Sequence, residues 1–418
     1  MIEGRPLTTT AQRIPSALVD ANIAEVMEAI GAAIGEREAI ITPARRVTFA
    51  ELNERSRRFA NALGAAGLGC HTERDRLAPH ESGQDHVALY LHNGPEYLEA
   101  MIGAWKARCV AFNVNYRYVA EELRSLLLDA DATAVVYHAR FAPVVARILP
   151  DLPRLRLMVQ VPDDSGEALL EGAVDFEALL AGASPERPAL TWSPDDLYCV
   201  YTGGTTGLPK GVLWRQADIW VAAMGGADPR DGREFESMDA VLEAASGERV
   251  HPYLIAAPLM HGAGHWLAFL ALTGGNPVVF GHVTDRLDPV DVLATIEGER
   301  CSFMIVVGNA FGRPILDELD RGRSEGGYDI SSLKVLATGG TAMTKDVKEE
   351  FLRHRPGLRI IDSMGASETG AQGRNVATDA GAVEAGVFEP GPGTCLITEE
   401  MDGLTVRLPG DTRNMLLE

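Results

Sequence analysis

The chain has 418 residues, with 38 Lys+Arg against 59 Asp+Glu and a formal net charge of −21. So acidic a protein lacks the basic surface that a general nucleic-acid binder needs, although one short loop can still hold a phosphate group. With 46% hydrophobic and 23% charged residues the composition is globular, and the length allows two or three domains, or one large one with subdomains.

Cys70, Cys109, Cys199, Cys301 and Cys395 are dispersed without metal-ligand spacing, as in a reduced cytoplasmic protein. The N-terminus carries no apolar core of signal-peptide type. His251–Thr284 has no Asp, Glu, Lys or Arg and is long enough to cross a bilayer. Pro258, Gly262, Gly264, Gly274, Gly275 and Pro277 interrupt it, which fits a buried strand, a loop and a core helix, so no transmembrane segment is expected.

In chain order, Thr48-Phe-Ala-Glu51 is a capping box before a helix with Leu52, Phe59, Ala60 and Leu63 facing inward. Val119–Leu128 predicts a second amphipathic helix with Leu123, Leu126 and Leu127 inward. Ala134–Tyr137, Leu157–Val161 and Leu197–Tyr201 predict buried strands of an α/β sheet. Pro162–Glu167 and Gly182–Pro194 read as connectors, the second marking the best internal boundary. Further strands are expected at Tyr253–Ala256, Pro277–Phe280, Ser302–Val307, Leu333–Ala337 and Leu358–Asp362. Helices are expected at Pro289–Glu297 and Thr344–His354, the latter N-capped by Thr344, and exposed loops at Asp228–Glu234 and Arg321–Gly327. The expected organisation is an α/β chain with one sheet-and-helix subdomain over 1–190, a second over 191–390, and the start of a β-rich subdomain at 391–418.

Tyr201-Thr-Gly-Gly-Thr-Thr-Gly-Leu-Pro-Lys-Gly-Val212 carries the most chemistry. Gly203, Gly204 and Gly207 let backbone N–H groups turn toward one anion, Thr202, Thr205 and Thr206 add hydroxyl donors, and Lys210 adds a point charge. That is what a polyphosphate needs. It is not a Walker A loop, since Pro209 precedes the lysine and Gly211 follows it.

Ile361-Asp-Ser-Met-Gly-Ala-Ser-Glu-Thr-Gly370 lies at the end of a predicted strand. Ser367 and Glu368 would emerge at the sheet's edge, where ligands of open α/β sheets lie, and the carboxylate could hold Mg²⁺ bridging phosphate oxygens. A serine-hydrolase elbow fails because Thr369 stands where the second Gly of GxSxG belongs. In Ala256-Ala-Pro-Leu-Met-His-Gly-Ala-Gly-His-Trp266, His261 and His265 are four apart, but the glycines disfavour a helix and Gly262 replaces the HExxH glutamate. A zinc pair is therefore not expected, and His265 reads as a core residue. Ala337-Thr-Gly-Gly-Thr-Ala-Met343 alone is a glycine turn after a strand.

Taken in this order, the segments resemble the adenylate-forming superfamily of acyl- and aryl-CoA synthetases, luciferases and peptide-synthetase adenylation domains. Tyr201–Val212 is similar to its phosphate loop, Met364-Gly-Ala-Ser-Glu368 to its second core motif, and Ala257-Pro-Leu-Met-His261 to its substrate-side histidine motif. Asn113-Val-Asn-Tyr-Arg-Tyr118 with Ala120-Glu-Glu-Leu123 looks like the fatty-acyl-CoA synthetase branch. Asp362–Gly370, Met224–Asp228 and Gly391–Cys395 are worded most like actinobacterial synthetases of steroid side-chain or long-chain acids.

The resemblance implies the large N-terminal domain of an acyl-CoA synthetase. Such an enzyme converts a carboxylic acid and ATP to acyl-AMP, and coenzyme A then displaces AMP. It implies Thr202, Gly203, Gly204, Thr205, Thr206, Gly207 and Lys210 around the phosphates and Gly339, Gly340, Met364, Gly365 and Ser367 along the nucleotide and acyl site. Glu368 would bind Mg²⁺, and His261 would stand near the carboxylate. Met364 departs from the family's usual aromatic residue, and the hinge and the small lysine-bearing C-terminal domain are missing from the sequence. The expectation is an impaired acid–thiol ligase; a fatty acyl-AMP ligase and an acyl- or nucleotide-binding pseudoenzyme are the alternatives. A small-molecule acid, ATP and CoA are the expected partners, without nucleic acid, in a monomer or homodimer.

Overall fold

The computed structural model describes residues 21–203, 209–228, 232–322, 326–384, 386–391 and 394, together with the backbone of strands at 396–400, 403–407 and 415–416. The fold is α/β. Val110–Asn113, His86–Tyr90, Ala132–His138, Leu157–Val161 and Val174–Asp175 form, in that spatial order, a wholly parallel five-stranded sheet. The predicted runs Ala134–Tyr137 and Leu157–Val161 are inner strands of this sheet, buried on both faces as parallel strands must be, whereas Leu197–Tyr201, also expected in the sheet, lies in an antiparallel hairpin outside it.

A ten-stranded sheet holds Tyr253–Ile255, Val278–Val279, Phe303–Val306, Val335–Gly339 and Arg359–Ala366 in parallel, with antiparallel strands at both ends. Glu38–Ile41 pairs in parallel with Val278–Val279, so the N-terminal strands belong to the sheet of the second half. The two sheets therefore do not divide at a single point near residue 190. Leu197–Thr202 and Lys210–Arg215 form a separate antiparallel hairpin, and Leu396–Glu400 pairs with Gly403–Arg407 beyond it.

The helix Phe49–Ala65 starts on the expected capping box: Glu51 N–H donates to Thr48 Oγ1 at 3.2 Å and Thr48 N–H to Glu51 Oε2 at 2.8 Å. Leu52, Phe59, Ala60 and Leu63 are buried, as are Leu123, Leu126 and Leu127 of the helix Ala120–Asp129. Thr344 takes the N-cap position of Lys345–His354, but its hydroxyl bonds Asn309 instead of the helix amides.

Three expectations are corrected. The glycine-bearing stretch after His261 is helical from Gly262 to Thr273, because tertiary burial of its apolar residues outweighs the cost of two glycines. The strand Arg359 begins does not stop before the Glu368 motif; it runs to Ala366 and turns back as Gly370–Ala377. Arg321 and Gly322, expected in a loop, close the helix Gly308–Gly322. Among the described residues no helix is long and apolar enough to cross a membrane.

Candidate active site

The hairpin of Leu197–Thr202 and Lys210–Arg215 brings Thr202 and Lys210 opposite each other at the base of the glycine-rich loop. Gly204, Thr205, Thr206 and Gly207 lie outside the described residues. Thr202 is half-buried, while Gly203 and Lys210 are exposed.

Asn113, at the end of its parallel strand, fixes the entry to this loop. Its Nδ2 donates to the Tyr201 carbonyl at 2.9 Å and to the Met260 carbonyl at 2.6 Å, and its Oδ1 accepts from Tyr201 N–H at 2.7 Å. The strand carrying Thr202 and the turn preceding His261 are thereby joined through one buried carboxamide. Asn93 holds the start of that turn, donating to the Ile255 and Ala257 carbonyls and accepting from Leu259 N–H at 2.7 Å.

His261 is the N-cap of the helix Gly262–Thr273. A Cβ at Gly264 would stand 2.3 Å from the Pro258 carbonyl oxygen, so the turn that sets His261 requires glycine there. His261 is exposed, yet the surrounding protein partly desolvates its ring and the Arg117 charge adds to this; both lower its pKa. His261 is therefore neutral at pH 7 and is able to donate or accept a hydrogen bond toward a carboxyl group.

His265 is the core residue the sequence suggested. Tyr198 OH lies 3.0 Å from its Nδ1 and Tyr97 OH 3.4 Å from its Nε2. Trp266 donates to Tyr198 OH and Tyr97 OH donates to the Leu259 carbonyl, which selects the tautomer with the proton on Nε2. Complete burial holds its pKa down to about 3.

The glycine turn and the second core motif are adjacent by sheet register, with Thr338 opposite Asp362 and Gly339 opposite Ser363. Gly308 N–H donates to Thr338 Oγ1 at 3.0 Å, and Asn309 pairs with Ala342 and Thr344, so the turn through Gly339 and Gly340 is pinned from the helix Gly308–Gly322. Met364 is half-buried opposite Gly373, and its Cε would lie in van der Waals contact, 3.4 Å, with a Cβ at 373. The register shifts after Met364; a Cβ on Gly365 would come 2.1 Å from the Gly370 carbonyl oxygen. Ser367 and the exposed Glu368 form the turn of this hairpin. Trp214, four residues beyond Lys210, donates its indole N–H to the Ser367 carbonyl at 2.7 Å.

The four motifs are thus linked in series: Asn113 joins the Thr202 strand to the His261 turn, Trp214 joins the Lys210 strand to Ser367, and sheet register sets Gly339 opposite Ser363. The exposed Glu368 carboxylate is a hard oxygen donor of the kind Mg²⁺ prefers, and among the described residues nothing lies within 4 Å of a Cβ at Gly203 or at Gly340. A crevice of about 110 Å³ opens beside Ala256 and Pro258, lined also by Asn93, Arg117, Phe280 and Phe311. Most of the uncharged stretch around it is ordinary core. Asn93, Asn113 and Trp214 act as supports that the sequence did not single out as such; Asn113 stands at the end of a strand, the one place where a buried amide could have been anticipated.

The architecture is that of acyl-CoA synthetase N-terminal domains. The anthranilate CoA ligase AuaEII in complex with anthranoyl-AMP superposes with a TM-score of 0.73 at 20% identity, over 93% of this chain and 68% of that one. The inhibitor-bound N-terminal domain of FACL13 from Mycobacterium tuberculosis gives 0.68 at 21% identity, over 92% and 86%. The AMP-binding enzyme family matches residues 28–400, and the chain belongs to that family. The medium-chain acyl-CoA ligase Mig of Mycobacterium avium is 46% identical over 397 residues, covering 95% of this chain and 70% of that protein. The 3-oxocholest-4-en-26-oate–CoA ligase of Rhodococcus rhodochrous is 35% identical over 360 residues, covering 85% of this chain and 62% of that protein.

Proposed function

We propose that this chain activates an apolar carboxylic acid, a medium- or long-chain fatty acid or a steroid side-chain acid, within an ATP-dependent acid–CoA ligase. A carboxylate oxygen of the acid attacks the α-phosphorus of ATP; the bond to the bridging oxygen breaks and pyrophosphate leaves, giving acyl-AMP. The thiol of coenzyme A then adds to the acyl carbon and loses its proton, and AMP departs.

The observation that carries this reading is the Asn113 carboxamide, which sets the phosphate-loop strand beside the His261 turn. Lys210, Thr202 and the loop glycines would hold the phosphates, Glu368 would hold Mg²⁺, and neutral His261 would orient the acid's carboxyl group. The ion, when bound, supplies charge neutralisation for the phosphate oxygens. The protein's own part is positioning and fixed hydrogen-bond donors, the principal catalytic means at such phosphoryl centres. The names of the relatives support the acid classes.

Calorimetric titration of the chain with non-hydrolysable acyl-adenylate analogues, short-chain, long-chain and steroid-derived, tests the proposal. Saturable binding that favours the larger acyl groups and weakens about tenfold or more in Lys210→Ala is expected. A folded wild-type chain that binds none of them would overturn it.

A further inference from the structure

Side chains of the strand Lys210–Arg215 alternate, so Lys210, Val212 and Trp214 share one face. Val212 and Trp214 pack against the main core, whereas Leu213 packs against the core that includes the five-stranded sheet's outer face. Lys210 and Trp214 are thus two fixed points on one side of one rigid strand, about 13 Å apart at the usual rise. From the second point the indole N–H reaches the Ser367 carbonyl, one residue before Glu368.

The Glu368 hairpin is secured differently at its two ends. At the buried end Lys348 Nζ lies 2.7 Å from Asp362 and 3.2 Å from Asn375 Oδ1, which ties both strands of the hairpin to the helix Lys345–His354. Its turn is exposed at Gly365, Ala366, Glu368 and Thr369 and closed locally by Thr369 N–H to the Ala366 carbonyl at 3.1 Å. The Trp214 bond anchors this turn to a different element, the strand that also bears Lys210.

We infer that Trp214 is a positioning residue: through the Ser367 carbonyl it fixes where Glu368 stands relative to Lys210. It thereby sets how well a divalent cation is shared between Glu368 and nucleotide phosphates. This rests on the ATP-binding reading of the site. Tryptophan suits the task because a flat two-ring arm, packed along its length, carries the donor at a fixed reach.

The test is calorimetric binding of α,β-methylene-ATP across a Mg²⁺ series and in EDTA, for wild type, Trp214→Phe, Trp214→His and Trp192→Phe. Trp192 is a control, a buried tryptophan whose indole donates to the Lys106 carbonyl at 2.9 Å, away from the site. Trp214→Phe should keep its melting temperature and its metal-free affinity while needing about five- to tenfold more Mg²⁺ for half-maximal binding. Trp214→His, which keeps a ring N–H, should recover part of that loss, and Trp192→Phe should leave the Mg²⁺ dependence unchanged. An unshifted Mg²⁺ dependence in Trp214→Phe, with wild type binding normally, would overturn the role of Trp214 alone, as would equal weakening with and without Mg²⁺. A folded wild type that binds no nucleotide would overturn the ATP-binding reading and the inference with it.

Discussion

The side-chain amide of Asn113 and the backbone of Tyr201 are paired by two hydrogen bonds, one donated in each direction, at 2.9 and 2.7 Å. The second amide hydrogen reaches the Met260 carbonyl at 2.6 Å, so both donors and the oxygen of this buried carboxamide are engaged. A side chain on the five-stranded sheet therefore completes the backbone hydrogen bonding of two segments, the strand that carries Thr202 and the turn before His261.

Asn113→Ala should leave the Tyr201 N–H and carbonyl and the Met260 carbonyl without this partner and cost about 2–4 kcal/mol of stability. Asn113→Asp should lose the two donated bonds and set a carboxylate against two carbonyls, so it should be no better than alanine. Urea unfolding gives the stability, and titration with an acyl-adenylate analogue gives the function. Because both halves of the site move, affinity should fall for the whole adenylate, not for the nucleotide part alone. Wild-type affinity in a folded Asn113→Ala chain would contradict this linkage.

Lys348 and Asp362 form a buried ion pair under the Glu368 hairpin, with side chains 1% and 8% exposed. Burial pushes the Asp362 carboxyl pKa up, against the pull of Lys348. Removing one partner strands the other, so Lys348→Met or Asp362→Leu should each cost about 3–5 kcal/mol, whereas the double variant should cost far less than their sum. A double-mutant cycle in urea measures the coupling. Additive losses would mean that the two groups do not depend on each other.

Much of this fold is visible in the sequence wherever local pattern and tertiary role agree. The capping box at Thr48 and the run Leu157–Val161 are such places, the run matching its strand end to end. Pro95–Lys106 gives no such signal, because the helix is buried on all sides and shows no apolar stripe. Gly308–Gly322 hides behind two internal breakers: Gly312 is needed where a Cβ would come 2.9 Å from Val347, and Pro314 sits within the helix. At the site, glycines, hydroxyls and a carboxylate announce phosphate chemistry by type alone. Asn93, Asn113, Trp214 and Lys348 act through contacts 88 or more residues away or across a sheet, and no local spacing records those.

Two glycines should respond in opposite ways to the same added methyl. In Gly365→Ala the new Cβ would meet the Gly370 carbonyl oxygen at 2.1 Å, so the hairpin must open and carry Glu368 with it. Gly298 lies within the helix Pro289–Glu299 with nothing within 4 Å of a Cβ, so Gly298→Ala should stabilise by about 0.5–1 kcal/mol. Thermal melts and Mg²⁺-dependent nucleotide titration separate the two. Gly365→Ala should lose both stability and cation dependence, and a Gly365→Ala chain with wild-type melting would refute the tight hairpin.

Acid should destabilise this protein earlier than its carboxylates alone would dictate. Burial lowers the pKa of His265 to about 3 and of His138 to about 4, and lowers those of His86, His92, His251 and His261 as well. In the unfolded chain each returns to about 6.5. As pH falls below that value the unfolded state takes up protons that the folded state refuses. Stability is therefore complete above about pH 6.5 and is lost progressively as pH falls toward 4, each strongly shifted histidine contributing about 1.4 kcal/mol per pH unit. Unfolding free energies from urea titrations at pH 7.5, 6 and 5 should show this slope. His265→Gln should start lower at pH 7.5, because the bonds to Tyr198 and Tyr97 are altered, but should lose stability less steeply by about one histidine's share. An unchanged slope in that variant would mean that His265 accepts its proton in the folded state, with the Tyr97–His265–Tyr198 network opening to admit it.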